Sequence, residues 1–318
     1  MENVAIILKK KSAIAVYIII GLLVIGEIAA PGFLSYSSLV NILTIASYLG
    51  IIVVGQSFVI LSGNEGIDLS VGAVMSFGVV MSSQLIDGKD ENMPLAFLFI
   101  VITGLLLGAI NGFGVAFLRI RPLIMTLSMA SVISGTSLVY SGGMAKGNAS
   151  PLLVEIGIGK SFGLPNVFFI WIIITAIVCI VLSNTKWGVK LYGTGSNKLT
   201  AKLSGTRIEW SYMMAYMISG LMGMIAGYIY LGYIKQPTYN LADMYLMPSI
   251  TAAVIGGVSL AGGSGHYFGA ALGSIVFVSL QSMLFALRTG AAEREIIFGI
   301  VLLVLLTIYA RRKTARTV

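Results

Sequence analysis

The sequence predicts an all-α membrane protein that crosses the bilayer about ten times, with some helices broken or re-entrant. Two features of the composition lead to this prediction. Of the 318 residues, 57% are hydrophobic and only 10% are charged, whereas soluble domains carry about 25% charged residues. The 38 glycines are also typical of membrane helices, because small residues let helix backbones approach closely in lipid.

Ten apolar runs approach or exceed the roughly 20 residues that a helix needs to cross the hydrocarbon core. In chain order they are residues 12–30, 39–61, 69–86, 95–118, 122–141, 166–183, 211–232, 246–260, 267–287 and 294–310. The first lacks a small-residue cleavage site, which predicts a retained helix and not a signal peptide. The third and eighth are short and rich in glycine, which predicts broken or re-entrant helices. Pro122 opens the fifth where a missing N–H is harmless, and Cys179 in the sixth is interpreted as a packing residue.

The distribution of basic residues predicts that both termini are cytoplasmic. With that orientation, fourteen of the twenty Lys and Arg residues lie on the inner side and six on the outer side, which agrees with the positive-inside rule. Because these residues lie at helix ends, the net charge of +8 does not indicate a nucleic-acid partner. The lipid bilayer is the expected environment.

Residues 1–318 are predicted to form a single transmembrane domain. The longest inner segment, 184–210, and the longest outer segment, 142–165, are too short to fold a core of their own. The sequence contains no Gly-x-x-x-x-Gly-Lys-Ser/Thr loop for binding ATP phosphates. We therefore expect that the chain is not an enzyme, holds no cofactor or metal, and depends on a partner for any ATP hydrolysis.

An aspartate lies between two apolar runs, in the string Gly66-Ile67-Asp68-Leu69-Ser70-Val71-Gly72. A carboxylate at the bilayer centre costs about 2.5–3.5 kcal/mol on insertion scales. Non-helical backbone at that depth survives only inside protein or beside a water-filled cavity. The candidates for a translocation path or gate are Glu65, Gly66, Asp68, Ser70, Gly72 and Asn111.

Three roles for Asp68 are open. The carboxylate can contact a transported solute, pair with a buried cation, or cap a helix that begins near Leu69. We favour the cap, because Asp-x-Ser before an apolar run is a helix start signal and negative charge is favourable at a helix N-terminus. Asn111 lies near the inner end of the fourth run, where it can hydrogen-bond across helices. Its default interpretation is packing, since such bonds contribute about 0.6 kcal/mol on average.

A second string, residues 257–263, resembles the first at a separation of 191 residues. It carries Ser259 at the place of Asp68, and the glycines that we assign to a helix junction are Gly256, Gly257, Gly262 and Gly263. Many transporters are built from internal repeats that enclose the substrate site. The alternative is that glycine-rich helix breaks converge on similar strings.

The inner segment 184–210 contains a predicted short helix. Asn197 is suited to cap it, Ala201 and Leu203 are good helix formers, and Gly205 follows Ser204 at its end. One interpretation is a docking element for a cytoplasmic partner. The other is an ordinary basic loop that obeys the positive-inside rule.

Together these strings, with the Asn-Gly pair after Gly108 and the Pro-x-Ile-x-Thr-Leu run at Pro122, resemble the permease subunits of bacterial ABC importers of the ribose and simple-sugar type. The resemblance covers residues 40–305. It implies half of a pore in the inner membrane that passes a monosaccharide or related small polar solute inward. It also implies that residues 197–205 form the coupling helix that docks on an ATPase. Related permeases import pentoses, hexoses, galactofuranose and the autoinducer-2 signal.

The resemblance implies several partners. They are two ATPase domains, which in some systems form one double-length chain, an extracytoplasmic sugar-binding protein, and a second permease copy or paralogue. This chain departs from the family string Thr-Gly-Gly-Ile-Asp-Leu-Ser by the additional residues Asn64 and Glu65. It also carries Lys202 and Thr206 where many relatives have other residues.

Features of the sequence also suggest two rival functions. An ion-coupled secondary transporter needs ionisable groups within the membrane, and the candidates are Glu27, Glu65 and Asp68. An intramembrane serine protease is suggested by Gly262-Gly263-Ser264-Gly265. That chemistry needs a histidine facing the serine, and the single histidine, His266, lies too close in sequence to act as its base.

Overall fold

The computed structural model describes the backbone of residues 2–314 and the side chains of residues 15–301 and 303. Within this part most residues lie in helices, which confirms the all-α class. The α-helices are α1 (Glu2–Ala29), α2 (Tyr36–Ser62), α3 (Val71–Ile86), α4 (Met93–Ala116), α5 (Pro122–Tyr140), α6 (Pro151–Ile158), α7 (Asn166–Asn184), α8 (Lys186–Ser196), α9 (Lys198–Leu203), α10 (Ile208–Ile234), α11 (Leu246–Ile255), α12 (Tyr267–Ala286) and α13 (Ala291–Thr314).

Short elements connect some of these helices. Two 3-10 turns, Asp90–Asn92 and Leu241–Tyr245, precede α4 and α11. A small antiparallel hairpin of β1 (Lys160–Ser161) and β2 (Leu164–Pro165) lies between α6 and α7, with Lys160 opposite Pro165.

Six of the described helices are long and apolar enough to cross a membrane. They are α2, α4 with its preceding turn, α5, α7, α10 and α12. Three shorter apolar helical stretches are Ala15–Ala29, Val71–Ile86 and Leu241–Ile255. The chain is therefore a multi-pass membrane protein.

Each of the ten predicted runs overlaps a helix. The eighth stops at Ile255 and not at residue 260, because Gly257 adopts a left-handed conformation (φ +87°) that ends the helix. The third, at 16 residues, is as short as expected. The predicted cytoplasmic placement of the termini concerns Met1 and residues 315–318, which lie outside the described residues.

Helix α10 lies at the centre of the bundle and packs against α2, α3 and α4. Its contact with α4 depends on three glycines that are spaced one helical turn apart, Gly104, Gly108 and Gly112. A methyl group at Gly104 would lie 2.9 Å from the Cα of Leu221, and one at Gly112 would lie 2.7 Å from the Cα of Met213. The two backbones therefore touch, as in membrane helices that pack through small residues.

Helix α2 is mostly buried and joins α10 to α7 and α12. A methyl group at Gly55 would lie 2.5 Å from the Cα of Ser219 on α10. On the other side, the Tyr267 hydroxyl donates to the Gly50 carbonyl at 2.8 Å and accepts from the Trp171 indole at 3.0 Å. In contrast, α5 and α7 expose most of their apolar surface. Cys179 on α7 is half-buried against the core, which confirms its interpretation as a packing residue.

Candidate translocation and coupling site

The chain leaves α2 through three consecutive residues with positive φ. These are Gly63 (φ +82°), Asn64 (φ +60°) and Glu65 (φ +56°). Glycine adopts this conformation without strain and asparagine tolerates it, whereas glutamate does so less readily. The turn reverses the chain direction and returns residues 66–70 into the bundle before α3 begins. The predicted non-helical backbone between the second and third runs is therefore confirmed.

The Asp68 carboxylate is almost fully buried, with 1% of its surface exposed. One oxygen, Oδ1, accepts hydrogen bonds from the Ser70 amide at 2.9 Å and the Ser70 hydroxyl at 2.6 Å. The other, Oδ2, accepts from the Ser219 hydroxyl at 2.6 Å. Asp68 therefore ties the start of α3 to the middle of α10.

The helix start lies two residues after the expected position near Leu69. Helix α3 begins at Val71 with Ser70 at its N-cap, and no side chain caps it. Asp68 instead bonds the amide two residues further on, an Asx-type turn that precedes the helix. Its hydrogen-bond partners are neutral hydroxyl and amide groups, so the structure gives no support to the buried-cation role.

The loop is held from two further helices. On α4, Asn111 donates from Nδ2 to the Ser70 hydroxyl at 2.9 Å, which confirms the predicted bond across helices. On α5, the Thr126 hydroxyl accepts from the Leu69 amide at 3.0 Å. We call Asp68, Ser70, Asn111, Thr126 and Ser219 the Asp68 cluster. It joins the α2–α3 loop to α4, α5 and α10.

Both glycines of the first string occupy places where a side chain would collide with backbone. A methyl group at Gly66 would lie 2.5 Å from the Val59 carbonyl oxygen, so this residue lets the loop fold onto the last turns of α2. One at Gly72 would lie 3.0 Å from the Cα of Asp243, in the turn before α11. The backbone contacts account for glycine at both positions.

Glu65 does not join the Asp68 cluster. Its side chain and that of Asn64 are exposed on the turn after α2. The Asn64 Oδ1 accepts a hydrogen bond from the Lys198 ammonium at 3.1 Å. Asn64 therefore contacts the segment that contains α9, and a path role for Glu65 stays a prediction.

The short helix α9 has the predicted cap. The Asn197 side chain accepts from the Thr200 amide at 3.0 Å, and the helix ends before Gly205, whose φ is +78°. Ala201 is buried against α10, whereas Leu203 is 80% exposed. Leu199 on the same helix is also exposed. Helix α9 therefore presents apolar surface outward between basic residues, and its coupling role stays a prediction.

Helix α8, directly before α9, was not predicted from the sequence. Thr185 caps it by accepting from the Gly188 amide at 3.1 Å. Its three glycines hide the helical signal, although Thr185 is a typical N-cap residue. A cavity of about 480 Å³ lies between α8 and α9. It is lined by Lys186, Val189, Lys190, Gly193, Ser196, Asn197, Thr200, Ala201, Ser204 and Thr206.

The glycines of the second string do lie at a helix junction, between α11 and α12. Gly257, Gly262 and Gly263 all have positive φ. Gly256 packs against the backbone at Gly269 and Ala270 on α12, which allows α11 and α12 to approach at their ends. The tight turn therefore depends on glycine, as the sequence predicted.

The second string does not reproduce the conformation of the first. The Ser259 amide donates to the Ser264 carbonyl at 2.9 Å, and the Ser259 carbonyl accepts from Gly262 at 2.8 Å, all within one loop. Gly257, Gly262 and Gly263 of the second string have positive φ, whereas no residue of 66–72 does. Helix α12 begins at Tyr267, after the string, whereas α3 begins within its string. Ser259 is therefore not the structural counterpart of Asp68.

Residues 38–306 match the family described as branched-chain amino acid transport system / permease component. The chain belongs to this permease family. The match covers the Asp68 cluster, α8, α9 and the junction between α11 and α12. The family resemblance that the sequence motifs indicated is thereby confirmed.

Several curated permeases are similar along almost their whole length. The autoinducer 2 import system permease protein LsrC of Escherichia coli O9:H4 (strain HS) is 31% identical, over 90% of this chain and 84% of LsrC. The ribose import permease protein RbsC of Escherichia coli K12 is 29% identical, over 93% and 92%. The galactose/methyl galactoside import permease protein MglC of Escherichia coli K12 is 29% identical, over 89% and 90%. No solved structure matches the chain.

The groups that suggested rival functions have local roles in this permease. Glu27 accepts from the Gly32 amide at 3.0 Å and the Leu34 amide at 2.7 Å, so it holds the turn after α1. His266 accepts from the Phe268 amide through Nδ1, and its Nε2 lies 2.9 Å from the Ser183 hydroxyl. The imidazole thus faces Ser183 and not Ser264.

Proposed function

We propose that the chain forms half of the pore of an ATP-binding-cassette importer that passes a monosaccharide or related small polar solute into the cytoplasm. The observation that carries this proposal is the near full-length similarity to import permeases. Their names specify autoinducer 2, ribose and galactose as the imported solutes. The absence of an ATP-binding loop from the sequence supports a separate ATPase.

We further propose ten membrane crossings in the bacterial inner membrane, with both termini cytoplasmic. Ten helices overlap the predicted runs, and the basic residues are concentrated on the side that this topology places inside. The short α6, α8 and α9 then lie outside the hydrocarbon core. Helix α9 and the capped end of α8 face the cytoplasm.

The proposed partners follow from this orientation. Two ATPase domains engage α9, whose exposed Leu199 and Leu203 alternate with Lys198 and Lys202. A solute-loaded binding protein docks on the outer loops. A second permease, either another copy or a paralogue, completes the pore.

The outward face of α5 is a further candidate for the lining of the pore. Ser128, Ser131, Gly135 and Thr136 are exposed there, beside exposed apolar residues such as Leu127 and Val132. A hydroxyl group that faces lipid finds no hydrogen-bond partner in the hydrocarbon. Small polar residues are instead suited to a contact between helices or to a water-filled path. On its buried side, Thr126 of the same helix holds the Asp68 loop. Sequence reasoning missed this face because these residues differ little from ordinary packing residues.

Affinity purification tests the assembly. The permease, expressed with its partner ATPase, is expected to purify as a complex containing two permease chains and two ATPase domains. Mass photometry in detergent and phosphate release from ATP measure its composition and activity. A stable permease that never retains the ATPase would contradict the proposal.

A further inference from the structure

Three segments of backbone meet on the inner side of the bundle. They are the end of α2 (residues 61–63), the end of α8 with its link to α9 (residues 192–197), and the loop before α12 (residues 262–265). We call this meeting point the inner junction. A methyl group at Gly63 would lie 2.8 Å from the Cα of Gly195, and one at Gly262 would lie 2.5 Å from the Cα of Gly63.

Hydrogen bonds fasten all three segments together. The Gly263 amide donates to the Leu61 carbonyl at 3.0 Å. The Ser196 hydroxyl donates to the Gly263 carbonyl at 3.0 Å, and the Tyr192 hydroxyl donates to the Gly265 carbonyl at 2.8 Å. Close-packed backbone transmits displacement because it has little room to deform. A movement of the α8–α9 link therefore acts on both loops.

Lys198 adds a direct connection from α9. Its ammonium donates to Asn64 Oδ1 at 3.1 Å and lies 5.2 Å from the centre of the Tyr212 ring on α10. Asn64 precedes Asp68 by four residues, and Gly66 presses the intervening backbone onto α2. Helix α9 is thus connected to the Asp68 cluster by the hydrogen bond between Lys198 and Asn64 and by the short, tightly packed turn from Asn64 to Asp68.

We propose that Lys198 and Asn64, together with the inner junction, transmit displacement of α9 to the loop that carries Asp68. This inference rests on the proposed function, since the ATPase supplies the displacement. Lys198 and Asn64 are positioning residues, which act through the loop and not on the solute. Asn64, one of the two additional residues, provides this contact with α9.

The test uses Glu65→Cys as a reporter on the exposed turn, with the native thiol removed by Cys179→Ala. Maleimide labelling rates are measured on the complex with its ATPase, without nucleotide and after trapping with ATP and vanadate. We expect the rate to depend on the nucleotide state. Lys198→Ala is expected to abolish that dependence, whereas Lys198→Arg, which keeps a donor, retains it.

Lys202→Ala is the matched control, because it removes the same charge from α9 at a residue that does not bond the turn. Equal nucleotide dependence in Lys198→Ala and Lys202→Ala would overturn the proposal, as would a labelling rate that never depends on nucleotide. Phosphate release by each complex is measured in parallel. If the unsubstituted permease does not bind the ATPase at all, the proposed function itself is contradicted.

Discussion

Asp68 is buried in a membrane-spanning bundle, yet three neutral donors hold its carboxylate. The Ser70 amide and hydroxyl and the Ser219 hydroxyl satisfy both oxygens. Hydrogen bonds of this kind offset the cost of burial only while every partner is present. The residue therefore fixes where the loop meets α10, and solute contact would require the cluster to open.

Two substitutions of Asp68 separate its structural role from its charge. Asp68→Asn keeps an acceptor for the serine donors and is expected to retain expression and partial transport. Asp68→Leu leaves those donors unsatisfied and is expected to lower the free energy of unfolding by about 1–3 kcal/mol, with loss of expression and transport. Membrane yield, thermal unfolding in detergent and solute uptake measure these effects. Wild-type behaviour of both variants would contradict the structural and pathway roles together.

His266 predicts a pH dependence of stability. Burial lowers its pKa below the usual value of 6.5, so folding favours the neutral imidazole. Its contribution is therefore fully present above about pH 6.5 and decreases as the pH falls through the lowered folded-state value. We expect thermal stability in detergent to fall between pH 7.5 and 5.5, and to fall less in His266→Gln. An identical decrease in both proteins would assign the effect to other groups.

At the scale of elements, the long apolar helices were predictable because twenty consecutive apolar residues have few alternatives to a membrane helix. The cap of α9 was also predictable, since Asn197 satisfies a local rule. Helix α8 was not, because its glycines weaken the local signal. The bond from Ser219 to Asp68 joins residues 151 positions apart, and no local pattern in one sequence specifies such a pairing.

The contact between α4 and α10 gives a prediction about packing. Gly108→Ala would place its methyl group 2.6 Å from the Cα of Met217, so we expect a separation of these helices and a loss of about 1–3 kcal/mol of stability. Gly21→Ala on α1 is the control, because nothing lies within 4 Å of its added methyl group. Thermal unfolding in detergent compares the two. Equal stability of both variants would show that close backbone contact is not required there.

Helix α9 gives a prediction about coupling. Gly205 has a φ of +78°, which proline cannot adopt and asparagine tolerates. Gly205→Pro is expected to distort the end of α9 and abolish ATPase co-purification and uptake, whereas Gly205→Asn retains both. Membrane yield serves as the control for folding. If Gly205→Pro co-purifies with the ATPase and supports uptake normally, the assignment of α9 as the ATPase-docking helix is contradicted.

For the whole molecule, α10 is the element on which the proposed mechanism depends. It packs against α4 through glycines, holds Asp68 through Ser219, and lies beside Lys198 through Tyr212. If the two similar strings were a true internal repeat, they would occupy equivalent positions in the bundle. Instead, the first string enters the bundle to reach α10, and the second forms a turn at the inner junction. Sequence similarity over about a dozen positions did not reveal this difference, because glycine permits both conformations.

The energy source of solute uptake tests the central claim most directly. Proteoliposomes are prepared with the permease, its ATPase and its binding protein, and uptake of radiolabelled ribose, galactose and autoinducer 2 is measured. We predict that uptake of at least one of these solutes requires the ATPase, with ATP supplied on the side of the membrane that the ATPase faces. This uptake continues when the proton gradient collapses. Uptake that persists without the ATPase but stops when the proton gradient collapses would contradict the account and identify an ion-coupled transporter.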